Sequence, residues 1–354
     1  MPARKPSKRM AFRDWKKQKG IKGFTRMSEE EKIVYKWAKR FQARDRKRGS
    51  RKLLGHWFKL NLVPTILPTP QESDSGKRNL DEFLQERKKK GIELFNGRII
   101  RPGLFPRVRK RREQKETQII DLPFMIGNYF DHLSGVKSDE ARFGWRRGKE
   151  AQKTLFRKKS NIASHRLQEQ YISEGVEKFA FNIGINSIVE VGNDGQGNPT
   201  HILVLKRSPF VPADPNVWDF PAGLLREGQK PIETIRKRTA AELGIQEQHL
   251  QLVGPGLTPT KQEIFFTMMR VDALLNYNPI VIQRVSLSAE EIRKNVRKHI
   301  AEGKRKNDKL APTDFQLIPR TPEAISHFTR THQIFIPEVL RLYAQELGKE
   351  ARRK

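Results

Sequence analysis

The stretch PAGLLREGQKPIETIRKRTAAELGI, residues 221–245, runs from a glycine through a short loop into a helix that ends Glu-Leu-Gly-Ile. Such a loop and helix suit metal-assisted attack of water on a phosphate linkage, provided that carboxylates line one helix face. A hard cation such as Mg²⁺ takes oxygen ligands, and residues three and four apart share a face. The acids available here are Glu227, Glu233 and Glu242. No other catalytic pattern is present: the chain has no G-x-x-x-x-G-K-[ST] loop, no G-x-S-x-G elbow and no H-E-x-x-H. The absence of cysteine excludes disulfides, thiolate catalysis and cysteine-based zinc modules. The eight histidines lack close metal-ligand spacing, and His201 and His299 read as surface or packing groups.

The surrounding elements must position that helix. FAFNIGINSIVEVG, the turn residues DGQGN, and THILVLKRS predict two strands joined by a tight turn. WDFPAGLL predicts a strand entering the loop. Residues 231–243 predict a helix with proline in its first turn, glycine just past its end, and Ile232, Ile235, Thr239 and Leu243 on the buried face. LQLVGPG and EIFFTMMRVDAL are further strand candidates. Ser288 with Glu291 forms a capping-box start, Thr321 precedes a proline-started helix over 322–332, and a last helix is expected over 338–348. Strands with interposed helices make residues 161–354 an α/β or α+β domain.

These residues carry a resemblance. Residues 176–300 resemble a Nudix domain, whose box is a glycine, five residues, a glutamate, seven residues, then Arg-Glu-apolar-x-Glu-Glu-x-Gly-apolar. Here the spacing is kept without a gap, with Gly223 at the start and Gly244-Ile245 at the close. The resemblance implies an α/β/α sandwich and three glutamates gripping Mg²⁺ from one helix face. In this chain those three positions hold Arg238, Ala241 and Glu242, the first glutamate of the box is Gln229, and its arginine is Lys237. A guanidinium at Arg238 repels Mg²⁺ and competes for Glu242. The expectation is a degenerate box without hydrolase activity, metal or cofactor, unless Glu227, Glu233 or another acid rebuilds a site.

Charge divides the chain unequally. Of the formal net charge of +31, residues 1–160 hold 44 basic against 18 acidic residues, leaving only +5 for the rest. With 31% of residues charged and 36% hydrophobic, much of the chain is expected to lie on the surface. An excess of +26 calls for a polyanion, and RNA or DNA fits better than a membrane, since the sequence lacks a long apolar run and a clean basic amphipathic helix. The basic residues expected on RNA are Arg44, Arg46, Lys47, Arg48, Arg51 and Lys52, then Lys88, Lys89 and Lys90. Arg107, Arg109, Lys110, Arg111 and Arg112 follow, with Arg146 and Arg147 among aromatics suited to base stacking or to a small helical core. A helix is expected over 29–48, an extended connector over 62–77, a short helix over 81–90, and a basic strip over 92–112 whose apolar residues dock on a neighbour.

The expected architecture is therefore α+β: a Nudix-like α/β/α sandwich with a long basic, partly helical N-terminal extension. Residues 1–27 form a basic arm or targeting segment, with ten basic residues and one acid, Asp14, before Met27. Residues 28–160 are the RNA-binding extension and 161–354 the globular domain. An acid-poor basic start resembles a mitochondrial transit segment. In general plan the chain resembles the Nudix-like protein of the mitochondrial large ribosomal subunit. That likeness covers roughly the last 180 residues and implies rRNA and neighbouring ribosomal proteins as partners, with no small-molecule substrate. A free RNA-binding pseudo-Nudix protein in the cytoplasm or nucleus, and an active hydrolase, are the alternatives.

Overall fold

The computed structural model describes residues 51–54, 56–64, 74–92, 94, 96–102, 107–110, 118–130, 183–194, 197–211, 215–271 and 276–352. The expected helix over 29–48, the segment 1–27, and the residues Phe143, Trp145, Arg146 and Arg147 lie outside the described residues.

Among the described residues the main sheet has ten strands. Its path runs β1 (Arg51–Leu54), β12 (Thr267–Val271), β13 (Asn276–Val285), β6 (Gly184–Val191), β7 (His201–Lys206) and β14 (Asp314–Pro319). Four short strands branch from this path: β8 (Trp218–Asp219) on β7, β9 (Ala222–Leu224) on β6, β10 (Leu250–Val253) on β13, and β11 (Pro259–Thr260) on β10. β13 and β6 are parallel, in register from Ile280 opposite Asn186 to Arg284 opposite Glu190.

Alternation along these strands sends successive side chains to opposite faces. Ile188, Ile202, Val204, Ile280 and Ile282 form one core with α4 (Pro322–Thr331) and α5 (Pro337–Ala351). Val189, Val191, Leu203 and Leu205 form another with α2 (Pro231–Leu243) and α3 (Ala289–Arg305). Helices thus cover both faces of a mixed sheet, as an α+β Nudix-like fold requires.

The helix boundaries follow local chemistry. Pro231 starts α2, and Gly244 ends it in the left-handed region at φ 64°, its amide and that of Ile245 bonding to the carbonyls of Ala241 and Ala240. Ile232, Ile235, Thr239 and Leu243 are all buried, as their spacing predicts. At α3 the Glu291 amide donates to Ser288 Oγ and the Ser288 amide to Glu291 Oε2, completing the capping box. Thr321 Oγ1 accepts from the Ala324 amide at α4.

The extension departs from its expected form. Residues 62–64 are not connector but the end of β2 (Phe58–Pro64), and the helix following it is longer than expected, α1 (Asp74–Lys89). The basic strip is not laid along a neighbour: it forms β3 (Arg98–Pro102) and β4 (Arg107–Lys110), both antiparallel to β5 (Gln118–Asn128), which pairs in parallel with β2. The reason is apolar burial. Phe58, Ile100, Ile120 and Leu122 share a core with Ile183, Ile185, Leu225, Ile232 and Ile235, so these side chains find their partner within the same chain. Phe124 packs against that core, while Tyr129 and Phe130 pack beside Leu80 and Phe83 of α1.

One polar network crosses the apolar packing on the α4 and α5 side. Glu190, fully buried on β6, receives Arg284 at 2.8 Å on one oxygen. Its other oxygen accepts from Arg320 Nε at 3.0 Å and from the Tyr343 hydroxyl at 2.6 Å. Arg320 also reaches Glu350 at 2.9 Å, so the network joins β6, β13, the start of α4, and the middle and end of α5. Burial and the adjacent Glu190 carboxylate hold the Tyr343 phenol well above its ordinary pKa, keeping it a proton donor. Glu190→Gln is expected to cost about 3–5 kcal/mol, because Arg284 loses its buried counter-charge and Arg320 loses one of its two. Tyr343→Phe is expected to cost about 1–3 kcal/mol, the loss of one hydrogen bond to a charged group. Urea unfolding checks both, and an equally mild loss for the two variants would contradict the central role of the carboxylate.

Candidate functional site

The box helix and its loop lie where the sequence places them, and their geometry decides what they can hold. Gly223 sits on β9 opposite Ile185 of β6, with its back to α2. A Cβ at Gly223 would lie 2.7 Å from Arg238 Cγ and 3.5 Å from Thr234 Cγ2, so glycine is required by the close approach of the helix. Arg238 runs over this point, its Nε 3.4 Å from the Ala222 carbonyl and its Nη2 3.4 Å from Glu242 Oε1.

Glu242 keeps 18% exposure of its side chain, and its pKa is pushed up to about 7. Burial is the main cause; the nearby Asp219 carboxylate adds to it, while Arg238, Arg207 and a backbone hydrogen bond from Ala222 act against it. Asp219 is itself buried and bound to Arg207 at 2.7 Å. Ala241 is exposed and offers no ligand. Gln229 accepts a hydrogen bond from Thr234 Oγ1 at 3.3 Å, tying the loop to the helix, and Lys237 is exposed.

The acids that would rebuild a site are engaged elsewhere. Glu227 is 2.8 Å from Arg98 and Glu233 is 3.4 Å from Lys230. Arg98 belongs to the second sheet, whose β3 closes directly on the box loop: the Ile100 amide donates to the Leu225 carbonyl, the Glu227 amide to the Arg98 carbonyl, and Ile99 bridges to Arg226. Among the described residues no group of three or more His, Asp or Glu is placed to hold a metal ion. A cation that needs several oxygens meets Glu242, half protonated near neutral pH and paired with a guanidinium, while the neighbouring Asp219 is buried and held by Arg207. These residues do not fit Mg²⁺.

The basic residues expected on RNA are spread over several elements. Arg44, Arg46, Lys47, Arg48, Arg111 and Arg112 lie outside the described residues, as do Arg146 and Arg147. Arg51 and Lys52 fall on β1, paired with β12, and Arg107, Arg109 and Lys110 fall on β4. Lys88, Lys89 and Lys90 are exposed at the C-terminal end of α1, where Lys90 pairs with Glu86. His201 bonds to Thr200 Oγ1, and His299 packs its Cβ by Gly244, as befits packing groups. The reading by sequence missed the Arg207–Asp219 pair and the Arg98 contact with Glu227. Neither has a local signal, since the partners of each pair come from different strands or loops.

Residues 187–302 match the family model for the NUDIX domain, and a Nudix domain is therefore present in this part of the chain. No curated protein matches the chain. A mutT/nudix family protein from Listeria innocua is similar in structure at 14% identity and a TM-score of 0.33, covering 49% of this chain and 98% of that one. The Nudix hydrolase RenU from M. smegmatis is similar at 9% identity and a TM-score of 0.29, over 49% of this chain and 87% of its own. A bifunctional NMN adenylyltransferase/ADP ribose pyrophosphatase from Francisella tularensis is similar at 8% identity and a TM-score of 0.29, over 66% of this chain and 64% of its own.

Two outcomes follow from the site. Calorimetric titration with Mg²⁺ is expected to show no saturable binding to the unaltered chain, and saturable binding in the millimolar range once Arg238→Glu and Ala241→Glu restore the acidic face. Tight binding by the unaltered chain, abolished by Glu242→Gln, would contradict this. The second outcome concerns pH. Because the folded pKa of Glu242 is raised, its protonated form stabilises the fold below about pH 4.5, and this contribution is lost as pH rises through about 7. A loss of about 3 kcal/mol is expected across that window, and Glu242→Gln is expected to remove it from the pH dependence of urea unfolding.

Proposed function

We propose that the Nudix domain serves this chain as architecture, and that the protein is a structural constituent of a ribosome, in the mitochondrial large subunit. Its basic extension neutralises rRNA phosphates, and its globular part offers a docking face to neighbouring ribosomal proteins. The observation that carries the reading is the box helix: Arg238 lies over Gly223 and pairs with Glu242, the one carboxylate left on the metal-facing side. A helix so occupied leaves the fold without the means to neutralise a pyrophosphate, so selection on the domain acts through its shape and surface.

The charge supports the same reading. Residues 1–160 carry +26 of the +31 total, and cations in that excess bind polyanions with release of condensed counterions. The second sheet supports it differently: by closing on residues 225–227, it welds part of the basic extension to the domain beside the box. Extension and domain then act as one body, as suits a piece held between RNA and protein.

Sedimentation of the tagged full chain from a mitochondrial extract tests the proposal. Co-migration with the large ribosomal subunit at low salt, with release at high salt, is expected, because each phosphate contact adds to the salt dependence. Migration as a free protein at every salt concentration would overturn the ribosomal reading. Mg²⁺-dependent turnover of a pyrophosphate compound, abolished by Glu242→Gln, would overturn the architectural one.

A further inference from the structure

We infer that the folded body carries a second RNA surface, built where the end of α1 meets the turn after α3, and that it takes single-stranded RNA. This rests on the RNA-bound reading above and adds to it a site formed by described residues alone. The two segments are more than 200 positions apart in the chain, yet Lys309 Nζ donates to the Lys90 carbonyl and Arg87 donates to the Phe210 carbonyl. The turn is folded back on α3, with the Asp308 amide bonded to the Gly303 carbonyl at 2.8 Å, and Ser208 Oγ donates to the Lys309 carbonyl.

The junction concentrates positive charge. Lys88, Lys89, Lys304, Arg305 and Lys306 are all exposed, and among the described residues none has an acidic partner within ion-pair distance. The acids nearby are committed: Glu86 to Lys90, Glu302 to Lys298, and Asp308 to the Leu310 amide. The bland account is that these cations complement two helix C-termini. Each helix end presents only about half a negative charge, however, so five solvated cations beyond the paired ones exceed what the dipoles take up.

An aromatic stands at the same place. Phe210 is 36% exposed, with Lys309 Nζ 6.0 Å from its ring centroid, and Leu310 beside the turn is 37% exposed. Cations that track a phosphate backbone next to an exposed ring are the parts from which sequence-tolerant single-strand sites are built, the ring stacking a base while the cations hold the chain. A duplex keeps its bases stacked on each other and cannot use Phe210. An acidic protein segment would use the cations but not the ring.

Photocrosslinking of the full chain to an oligouridine of about 12 nucleotides containing 4-thiouridine tests this, within the site sizes such surfaces cover. Crosslinks are expected in the peptide holding Phe210. The Lys88→Ala, Lys89→Ala, Lys304→Ala, Arg305→Ala and Lys306→Ala combination is expected to weaken binding tenfold or more, and to lower the slope of log affinity against log salt by up to about 3. Phe210→Ala should weaken binding about fivefold or more without changing that slope, and Phe210→Tyr should restore it. All five cations are exposed, and circular dichroism is expected to show an unchanged fold. Unchanged affinity and slope in the five-site variant, with no crosslink at Phe210, would overturn the surface. So would competition by polyglutamate as effective as that by RNA, which would reassign it to an acidic protein. Retained crosslinking at Phe210 without ribosomal co-sedimentation would sink the ribosomal reading alone, whereas co-sedimentation with no crosslink at Phe210 and an unchanged salt slope in the five-site variant would sink only this surface.

Discussion

A single buried carboxylate holds the two halves of the sandwich in register. Glu190 lies on the central strand β6 with no exposure, and its two oxygens are shared among Arg284, Arg320 and the Tyr343 hydroxyl. A charge in that position is tolerable only because every lone pair has a charged or polar donor, and the low local dielectric that makes desolvation costly also strengthens the attraction. The network's reach explains its importance. Through Arg320 it extends to Glu350 at the far end of α5, and through Arg284 to the Leu257 carbonyl, so the last helix and the loop after β10 are set by the same group. Apolar packing by Ile325, Val339 and Leu340 is non-directional; the carboxylate supplies the direction.

The opposite face of the sheet carries the box helix. α2 keeps every feature that packing demands: a proline start, a left-handed glycine stop, and a buried face of Ile232, Ile235, Thr239 and Leu243. The exposed side of the same helix differs. Where a metal-binding helix needs converging oxygens, Arg238 lies against β9 and pairs with Glu242, whose own charge is half suppressed by burial near Asp219. A buried face built for packing beside an exposed face with a single carboxylate suits the architectural role proposed above.

The N-terminal part is neither a loose arm nor a separate unit over the residues described. β1 joins the edge of the main sheet, and β2, β3, β4 and β5 form a second sheet whose apolar side chains complete a core begun by Ile183, Ile185 and Leu225. The basic side chains among its described residues therefore sit on strands and a helix of fixed geometry, where the end of α1 is brought against the turn that holds Lys309. A framework of this kind presents its cations in a set arrangement, as the single-strand surface proposed above requires.

Local signals carried much of the second half of the chain. The proline and glycine that bound α2, the capping box at Ser288, the threonine cap at Thr321 and the alternation in β6 and β7 each depend on a few adjacent residues, and these were legible. The box spacing was legible too, as was the absence of a carboxylate at Arg238 and Ala241. What only the tertiary structure decided was pairing over distance. β13, Asn276–Val285, is central although Pro279, opposite Met268 of β12, has no amide to give to a neighbouring strand. The strands of the basic region were hidden because arginines alternate with Ile99, Ile100 and Val108, and a charged strip is read as solvated until an apolar surface such as Ile183 and Leu225 is there to cover it. The ion pairs of Glu190, Asp219 and Glu227 join residues that are distant in sequence or set on separate strands and loops. Their residue types are visible in one dimension, but their distances, which fix the energy, exist only in three.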